Sequence, residues 1–257
     1  MDTSQTVVDI QEGVGRILLN RPERRNALGL AMLEELSRRL TELGEDPAVR
    51  VVTIAGTGQA FSAGHDLSEM IDREQEFYDA LFATCTQVML GIHACPRPVI
   101  AQVHGMATAA GCQLVAACDL AVASEDARFA TPGVKIGLFC STPMVPITRA
   151  IGRKRAMQML LTGSPIDATT ALGWGLVNEV VPRDDLEETV AGLAARIMRY
   201  SREVIELGKA GFYAQIDAAE SDAYRVVEPI MSHNARLEAA QEGMSAFLEK
   251  RQPIWPG

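Results

Sequence analysis

The sequence predicts an α/β fold with a largely parallel sheet covered on both faces, followed by a helical C-terminal region. Two observations carry this. VRVVTIAG (49–56), PVIAQVHG (98–105) and DLAVAS (119–124) are unbroken apolar runs of strand length. Continuous rather than alternating runs are what a sheet buried on both faces requires. Segments of helical period lie between them, so strands and helices alternate along the chain.

The elements follow in order. TVVDI (6–10) and RILLN (16–20) are β-prone runs joined by a short segment holding Gly13 and Gly15, a hairpin signal. Leu33, Leu36, Leu40 and Leu43 recur at helical spacing with Glu and Arg between them, and Asn26 precedes them as a candidate cap. GLVNEVV (175–181) reads as another short strand. Beyond about residue 185 the pattern is helical to the end. Leu237, Ala240, Met244 and Phe247 mark a last amphipathic helix, which Pro253 would stop. The expected division is a core over 1–185 and a helical region over 186–257 that packs on a neighbouring subunit. No repeat, low-complexity segment or linker interrupts it.

Composition excludes several classes. Asp and Glu number 33 against 24 Lys and Arg, a formal charge of −9, which argues against a nucleic-acid surface. No apolar stretch reaches the ~18 residues of a membrane span, so no membrane partner is expected. Cys85, Cys95, Cys112, Cys118 and Cys140 are odd in number and share no metal-ligand spacing with His65, His93, His104 or His233. Free thiols in a reducing compartment are expected, and no metal. MDTSQTVVDIQEGVG has no basic segment followed by an apolar run, so a cytoplasmic location is expected. GTGQAF (56–61) lacks the third glycine of a dinucleotide fingerprint, and neither a P-loop nor a GxSxG elbow occurs.

Five blocks together resemble the crotonase (enoyl-CoA hydratase/isomerase) superfamily. They are NRPERRNAL (20–28), AFSAGHDLSEM (60–70), PVIAQVHGMATAAGCQLVAACDLAVASEDARFATP (98–132), GSPIDATTALGWGLVNEVVP (163–182) and EGMSAFLEKRQP (242–253). The segment 107–143, ending GVKIGLFCSTP, looks most like the branch called enoyl-CoA hydratase domain-containing protein 3. The resemblance implies a spiral of ββα repeats with a helical C-terminal region used for trimerisation, as a homotrimer or a dimer of trimers. It implies an acyl-CoA thioester ligand, with coenzyme A as part of the substrate and no permanently bound cofactor.

It also implies roles for particular residues. The main-chain N–H groups of His65 and Ala110 would form an oxyanion hole for the thioester carbonyl. One such donor is typically worth ~10²–10³ in rate. Ala110 is the middle of the triplet Ala109-Ala110-Gly111, where relatives usually carry glycines. Ala27, Ala63, Asp66 and Leu67 would line the coenzyme A site, with Arg24 and Arg25 for its phosphates. Phe247 and Lys250 would close over the ligand, often from a neighbouring subunit.

Two departures stand out. The glutamate of the family's hydratases that follows the triplet falls at Gln113, and the one in its F-x-x-P-E pattern falls at Gly133. An amide cannot accept a proton from water, and glycine offers no side chain. General acid and base groups each contribute ~10²–10⁴, so efficient conventional hydration is not expected. Gln113 is either a buried amide satisfied by the backbone or a group that orients substrate or water. SAGHD also resembles methylmalonyl-CoA decarboxylase, which has a tyrosine at the Cys140 position. Decarboxylation, thioester hydrolysis and non-catalytic acyl-CoA binding are the alternatives. Cys140 and Ser141 lie where relatives place substrate-facing groups; Cys140 is an inert small residue or a nucleophile. His104 is either structural or a wall of the ligand channel, and Glu69 and Asp126 are expected on the solvated surface.

Overall fold

The computed structural model describes residues 4–256, so Met1–Thr3 of the expected core and Gly257 of the helical region lie outside it. β1 (Thr6–Gln11) and β2 (Val14–Leu19) form the expected antiparallel hairpin, with Thr6 opposite Leu19. Glu12 and Gly13 turn it at φ 49° and 84°, the left-handed pair a tight hairpin needs. α1 (Leu30–Glu45) buries Met32, Leu33, Leu36, Leu40 and Leu43, which is the stripe read from the sequence.

Three ββα units follow. The first is β3 (Val51–Gly56), β4 (Ala60–Ser62) and α2 (Gln75–Ala94). The second is β5 (Val99–Val103), β6 (Met106–Thr108) and α3 (Ala110–Ala117). The third is β7 (Leu120–Ser124), β8 (Arg128–Ala130) and α4 (Met144–Ile151). The first strand of each unit joins a large sheet and the second a small one. α5 (Arg153–Thr162), β9 (Ile166–Asp167), α6 (Ala168–Trp174) and β10 (Glu179–Val181) complete both sheets. Their orders are β1-β2-β3-β5-β7-β10 and β4-β6-β8-β9. β2, β3, β5, β7 and β10 run parallel, as do β4, β6 and β8.

The middle of the large sheet is covered on both sides, which is why β3, β5 and β7 are mostly apolar. α1, α2 and α3 supply the main core, around Ile17, Ile54, Leu36, Val88 and Leu114. α7 (Leu186–Met198) covers the other face, setting Leu186, Val190 and Ala194 on Val51, Ile100 and Val122. α8 (Arg202–Gln215), α9 (Glu220–Asn234) and α10 (Glu238–Glu249) follow as the helical C-terminal region. Lys209 pins α8 to the core: Nζ donates to Asp119 Oδ2 at 2.6 Å, Ile92 O at 2.9 Å and Arg97 O at 2.8 Å. Tyr213 donates to Asp119 Oδ1 at 2.7 Å and stacks on His93 with ring centres 4.0 Å apart.

Two local expectations are corrected, and the last helix stands where it was expected. Asn26 does not cap α1; it is fully buried in a turn, while Gly29 stands at the cap and Glu69 accepts the Leu30 N–H at 3.1 Å. A Cβ on Gly29 would collide with that carboxylate, so glycine and glutamate share the cap between them. Of GLVNEVV only Glu179–Val181 is strand, because Gly175 ends α6 in the left-handed region and Asn178 accepts the Ala121 N–H through its side chain. In α10 the buried residues are Ala239 and Ala246, whereas Met244 and Phe247 are 49% and 83% exposed. The small alanines lie where the helix meets its own chain, and the large apolar residues face away from it. Lys250, at φ 57°, ends the helix before Pro253. No helix among the described residues is long and apolar enough to cross a membrane.

Candidate active site

The three short strands of the small sheet deliver the site. β4 leads into Ala63-Gly64-His65, β6 into Ala109-Ala110, and β8 into Thr131-Pro132-Gly133. Parallel strands bring their C-terminal ends to one side of a sheet, and the loops there are the usual place for a ligand.

The 62–65 segment is laced down on two sides. Ser62 Oγ donates to Asn26 O at 2.9 Å, Ala63 N–H to Arg25 O at 3.0 Å, and Leu28 N–H to Gly64 O at 2.7 Å. Thr108 Oγ1 donates to Ala63 O at 3.0 Å. Gly64, at φ +86°, is obligatory because a Cβ there would stand 2.8 Å from Ala109 Cβ and 3.2 Å from Ala110 N. The peptide that precedes His65 therefore abuts the start of α3. Among the described residues, the N–H groups of His65 and Ala110 donate to no acceptor of the chain.

Ala110 opens α3, and its orientation is set by strain. Ala109 holds φ 49°, ψ −117°, a conformation that L residues rarely adopt. Such a residue costs roughly 1–3 kcal/mol and persists only where its surroundings over-determine it. Here the Ala109 N–H is fixed on Ala130 O at 2.9 Å and Gly111 is pressed against Ser62.

His65 is held by its ring. Nδ1 lies 3.1 Å from Leu28 O, and the ring meets Phe82 of α2 edge-on at 5.3 Å. Burial lowers its pKa from 6.5, the hydrogen bond to Leu28 opposing this. Nε2 is buried without a partner in the chain.

Gln113 is buried, and among the described residues its only side-chain bond is from the Cys85 thiol, 3.9 Å from Oε1. The backbone does not satisfy this amide. Gln113 also borders a cavity of about 680 Å³ that runs past Met89 and Val115 toward Tyr213, with Thr142 on its wall. That cavity meets the site at Gln113 and does not reach His65 or Ala110.

Gly133 is closed to any side chain. A Cβ would stand 2.8 Å from Leu138 O and 2.9 Å from Cys140 Sγ. Cys140 is 8% exposed and burial raises its thiol pKa, against a hydrogen bond to the Gly133 backbone. A buried thiol of raised pKa is a poor nucleophile, so the structure gives Cys140 a packing role. Ser141 is exposed, and its N–H and hydroxyl both donate to Phe139 O.

The remaining residues fall in two groups. Asp66 is 7% exposed; burial raises its pKa, but bonds from Ser68 and the nearby Arg21 and Arg24 bring the net shift down. Ala27 is buried, Ala63 partly so, and Leu67 is 47% exposed beside them. Arg24 and Arg25 are exposed on the turn before Asn26, and neither forms an ion pair among the described residues. Phe247 and Lys250 are exposed on α10, which packs on α8 within the chain. His104 is structural, with Nε2 3.1 Å from Gly58 O. Asp126 lies on the solvated surface as expected, bonded to Ser124 and paired with Arg183, whereas Glu69 is partly buried and caps α1. The capping Glu69 and the buried Asn26 escaped sequence reading because the groups they bind lie far off in the chain, Leu30 39 residues from Glu69 and Thr57 and Ala60 31 and 34 residues from Asn26.

The fold and these loops define an α/β protein of three ββα units with a pair of unspent N–H groups between the first and second. A family model described as enoyl-CoA hydratase/isomerase matches residues 9–257. The human enoyl-CoA hydratase domain-containing protein 3, mitochondrial, is 47% identical over 245 residues, 95% of this chain and 81% of its own. A crystal structure of an enoyl-CoA hydratase from Mycobacterium smegmatis superposes with a TM-score of 0.96 at 49% identity, over 98% of this chain and 99% of that one. The crystal structure of the human protein gives 0.95 at 45%, over 98% and 100%. The chain belongs to the enoyl-CoA hydratase/isomerase family. One expectation falls with these findings: the cytoplasmic location does not stand, since the human, mouse, rat, zebrafish and frog relatives are all named mitochondrial. It rested on the chain's first residues, which do not decide a compartment.

Proposed function

We propose that this protein binds an acyl-CoA thioester and acts on it through an enolate or oxyanion held by the main-chain N–H groups of His65 and Ala110. The observation that carries this is that both donors are unspent and adjacent, at a helix N-terminus whose dipole favours negative charge. Both belong to the backbone, so they survive changes of side chain. In this reading the acyl chain runs from the two donors toward Gln113, beside which a cavity opens. Arg24 and Arg25 are unpaired cations for the coenzyme A phosphates, with Ala27, Ala63, Asp66 and Leu67 below them. Coenzyme A enters with the substrate and no permanent cofactor is invoked.

Hydration driven by a carboxylate pair is not part of this reading, because Gln113 and Gly133 occupy those positions and the second has no space to be filled. A homotrimer or dimer of trimers fits the exposure of Phe247 and Leu248, 83% and 80%, in a single chain. The region 186–257 would then serve assembly and cover the coenzyme A site over the core.

Crotonyl-CoA hydration, followed by loss of enoyl-thioester absorbance, together with a binding panel of acyl-CoAs, tests the reading. His65→Pro deletes one donor and is expected to abolish turnover and weaken thioester binding. A folded His65→Pro protein with unchanged rates and affinities would remove the assigned pair.

A further inference from the structure

A buried ring nitrogen without a partner needs an explanation. His65 Nδ1 lies 3.1 Å from Leu28 O, and a carbonyl only accepts, so Nδ1 carries the hydrogen. The neutral ring then presents a lone pair at Nε2, the atom left buried and unpartnered. Leu28 O on one side and Phe82 on the other fix the ring's direction. Phe82 and Cys85 lie one helical turn apart on α2, and Cys85 reaches Gln113. The imidazole and Gln113 therefore stand against the same stripe of α2. The residue that carries this proton acceptor also carries a main-chain donor of the proposed thioester site.

We propose that the His65 imidazole, through Nε2, is the proton-transfer group of this site for a 2-enoyl thioester, in place of the carboxylates absent at Gln113 and Gly133. The proposal rests on the acyl-CoA reading above. The Nε2 lone pair removes one proton from water as the water oxygen bonds to the β-carbon. The π pair of the α,β double bond shifts toward the carbonyl, and the enolate oxygen is held by the N–H groups of His65 and Ala110. The imidazolium returns its proton to the α-carbon, where the enolate pair forms the new C–H bond. One water has been added and the ring is neutral again. Leu28 O keeps its bond to Nδ1–H throughout.

The surroundings suit a base. Burial holds the ring below its ordinary pKa of 6.5 and no charged side chain bears on it, so it is neutral near pH 7. The other ionisable groups on the adjoining segments are committed. Asp66 is bound by Ser68 and Arg21, Glu69 caps α1, and burial pushes the Cys85 thiol up to about 12.

His65→Gln keeps the main-chain N–H and removes the titrating ring. In this variant butyryl-CoA, which cannot be hydrated, is expected to bind as in the parent, while crotonyl-CoA hydration falls by ~10² or more. Equal hydration rates in parent and variant overturn the imidazole's role and leave the thioester reading standing. A parent that binds butyryl-CoA and hydrates nothing also overturns it. A parent that binds no acyl-CoA defeats the thioester reading itself. The ¹⁵N resonance of His65 Nε2 in the parent decides the matter without any variant. 3-Hydroxybutyryl-CoA, whose hydroxyl donates, is expected to shift it where butyryl-CoA does not. Identical resonances with the two ligands overturn the proposal.

Discussion

Gly133→Ala places a methyl group 2.8 Å from Leu138 O and 2.9 Å from Cys140 Sγ, where ordinary contact begins near 3.4 Å. Both overlaps are about half an ångström. The carbonyl cannot retreat freely, because the Leu138 N–H is bonded to Gly133 O at 3.0 Å in the same turn. Overpacking of this kind costs roughly 1–3 kcal/mol, or about 2–4 °C in Tm per kcal/mol for a chain of this size. Cys140→Ala alone removes a buried sulfur and costs about 1 kcal/mol. Combined, the two are expected to cost less than their sum, by about 1 kcal/mol, since the second change clears one of the two clashes made by the first. Urea unfolding of the parent, both single variants and the double variant measures that coupling. Additivity to within ~0.3–0.5 kcal/mol would show that the thiol does not close position 133. The functional corollary is that Gln113→Glu with Gly133→Glu gives no gain in crotonyl-CoA hydration, although it restores both carboxylates on paper.

Other outcomes can be checked directly. Asn26→Asp replaces donors to Thr57 O and Ala60 O, at 2.9 and 2.8 Å, with carboxylate oxygens facing carbonyls, and is expected to cost about 3 kcal/mol or more in urea unfolding. Lys209→Met strands the Asp119 carboxylate that pins α8 and should cost roughly 3–5 kcal/mol, with α8 amides exchanging faster than those of β5. His65, His93 and His104 have pKa values lowered mainly by burial from 6.5, so the unfolded chain takes up their protons first. Stability from these groups is complete above about pH 6.5 and is lost as pH falls toward the native values, and pH-dependent unfolding should show that slope. Ala109→Gly releases the strained φ of 49° and is expected to raise stability by up to ~2 kcal/mol, the strain relieved less the added chain entropy.

The middle of the large sheet was legible because β3, β5 and β7 are five or six residues long and mostly apolar. The small sheet was not. AFS, MAT and RFA are three residues each, too short to show a period. Yet those are the strands that aim the site loops, so the site was reached from the resemblance and not from the pattern. What the resemblance could not say was why position 133 is empty. A glycine in a sequence does not reveal that a thiol seven residues on fills its place. The apolar period of α10 was legible too, and it records a surface that one chain leaves uncovered.

The same comparison explains which parts of the site resist change. The proposed donors at His65 and Ala110 depend on the backbone path. That path is secured by Asn26, Ser62 and Thr108, whose bonds cross between segments that also make the core. Losing it would expose or strand buried polar groups, at 1–3 kcal/mol each, so a change there is felt as instability before it is felt as lost chemistry. The side chains at 113 and 133 carry no such burden. Gln113 makes one weak bond to Cys85, and the place of a side chain at 133 is taken by Cys140, so neither departure harms the fold. On the proposed reading, the frame that presents the two N–H groups is kept whatever side chains stand at 113 and 133. Thr108→Val discriminates the two kinds of change: it cuts the tie between β6 and Ala63 O, and should lower both unfolding stability, by about 1 kcal/mol, and acyl-CoA affinity. Gln113→Leu should leave stability nearly intact. Equal effects on stability from the two would mean that the frame and the side chains are not separable in this way.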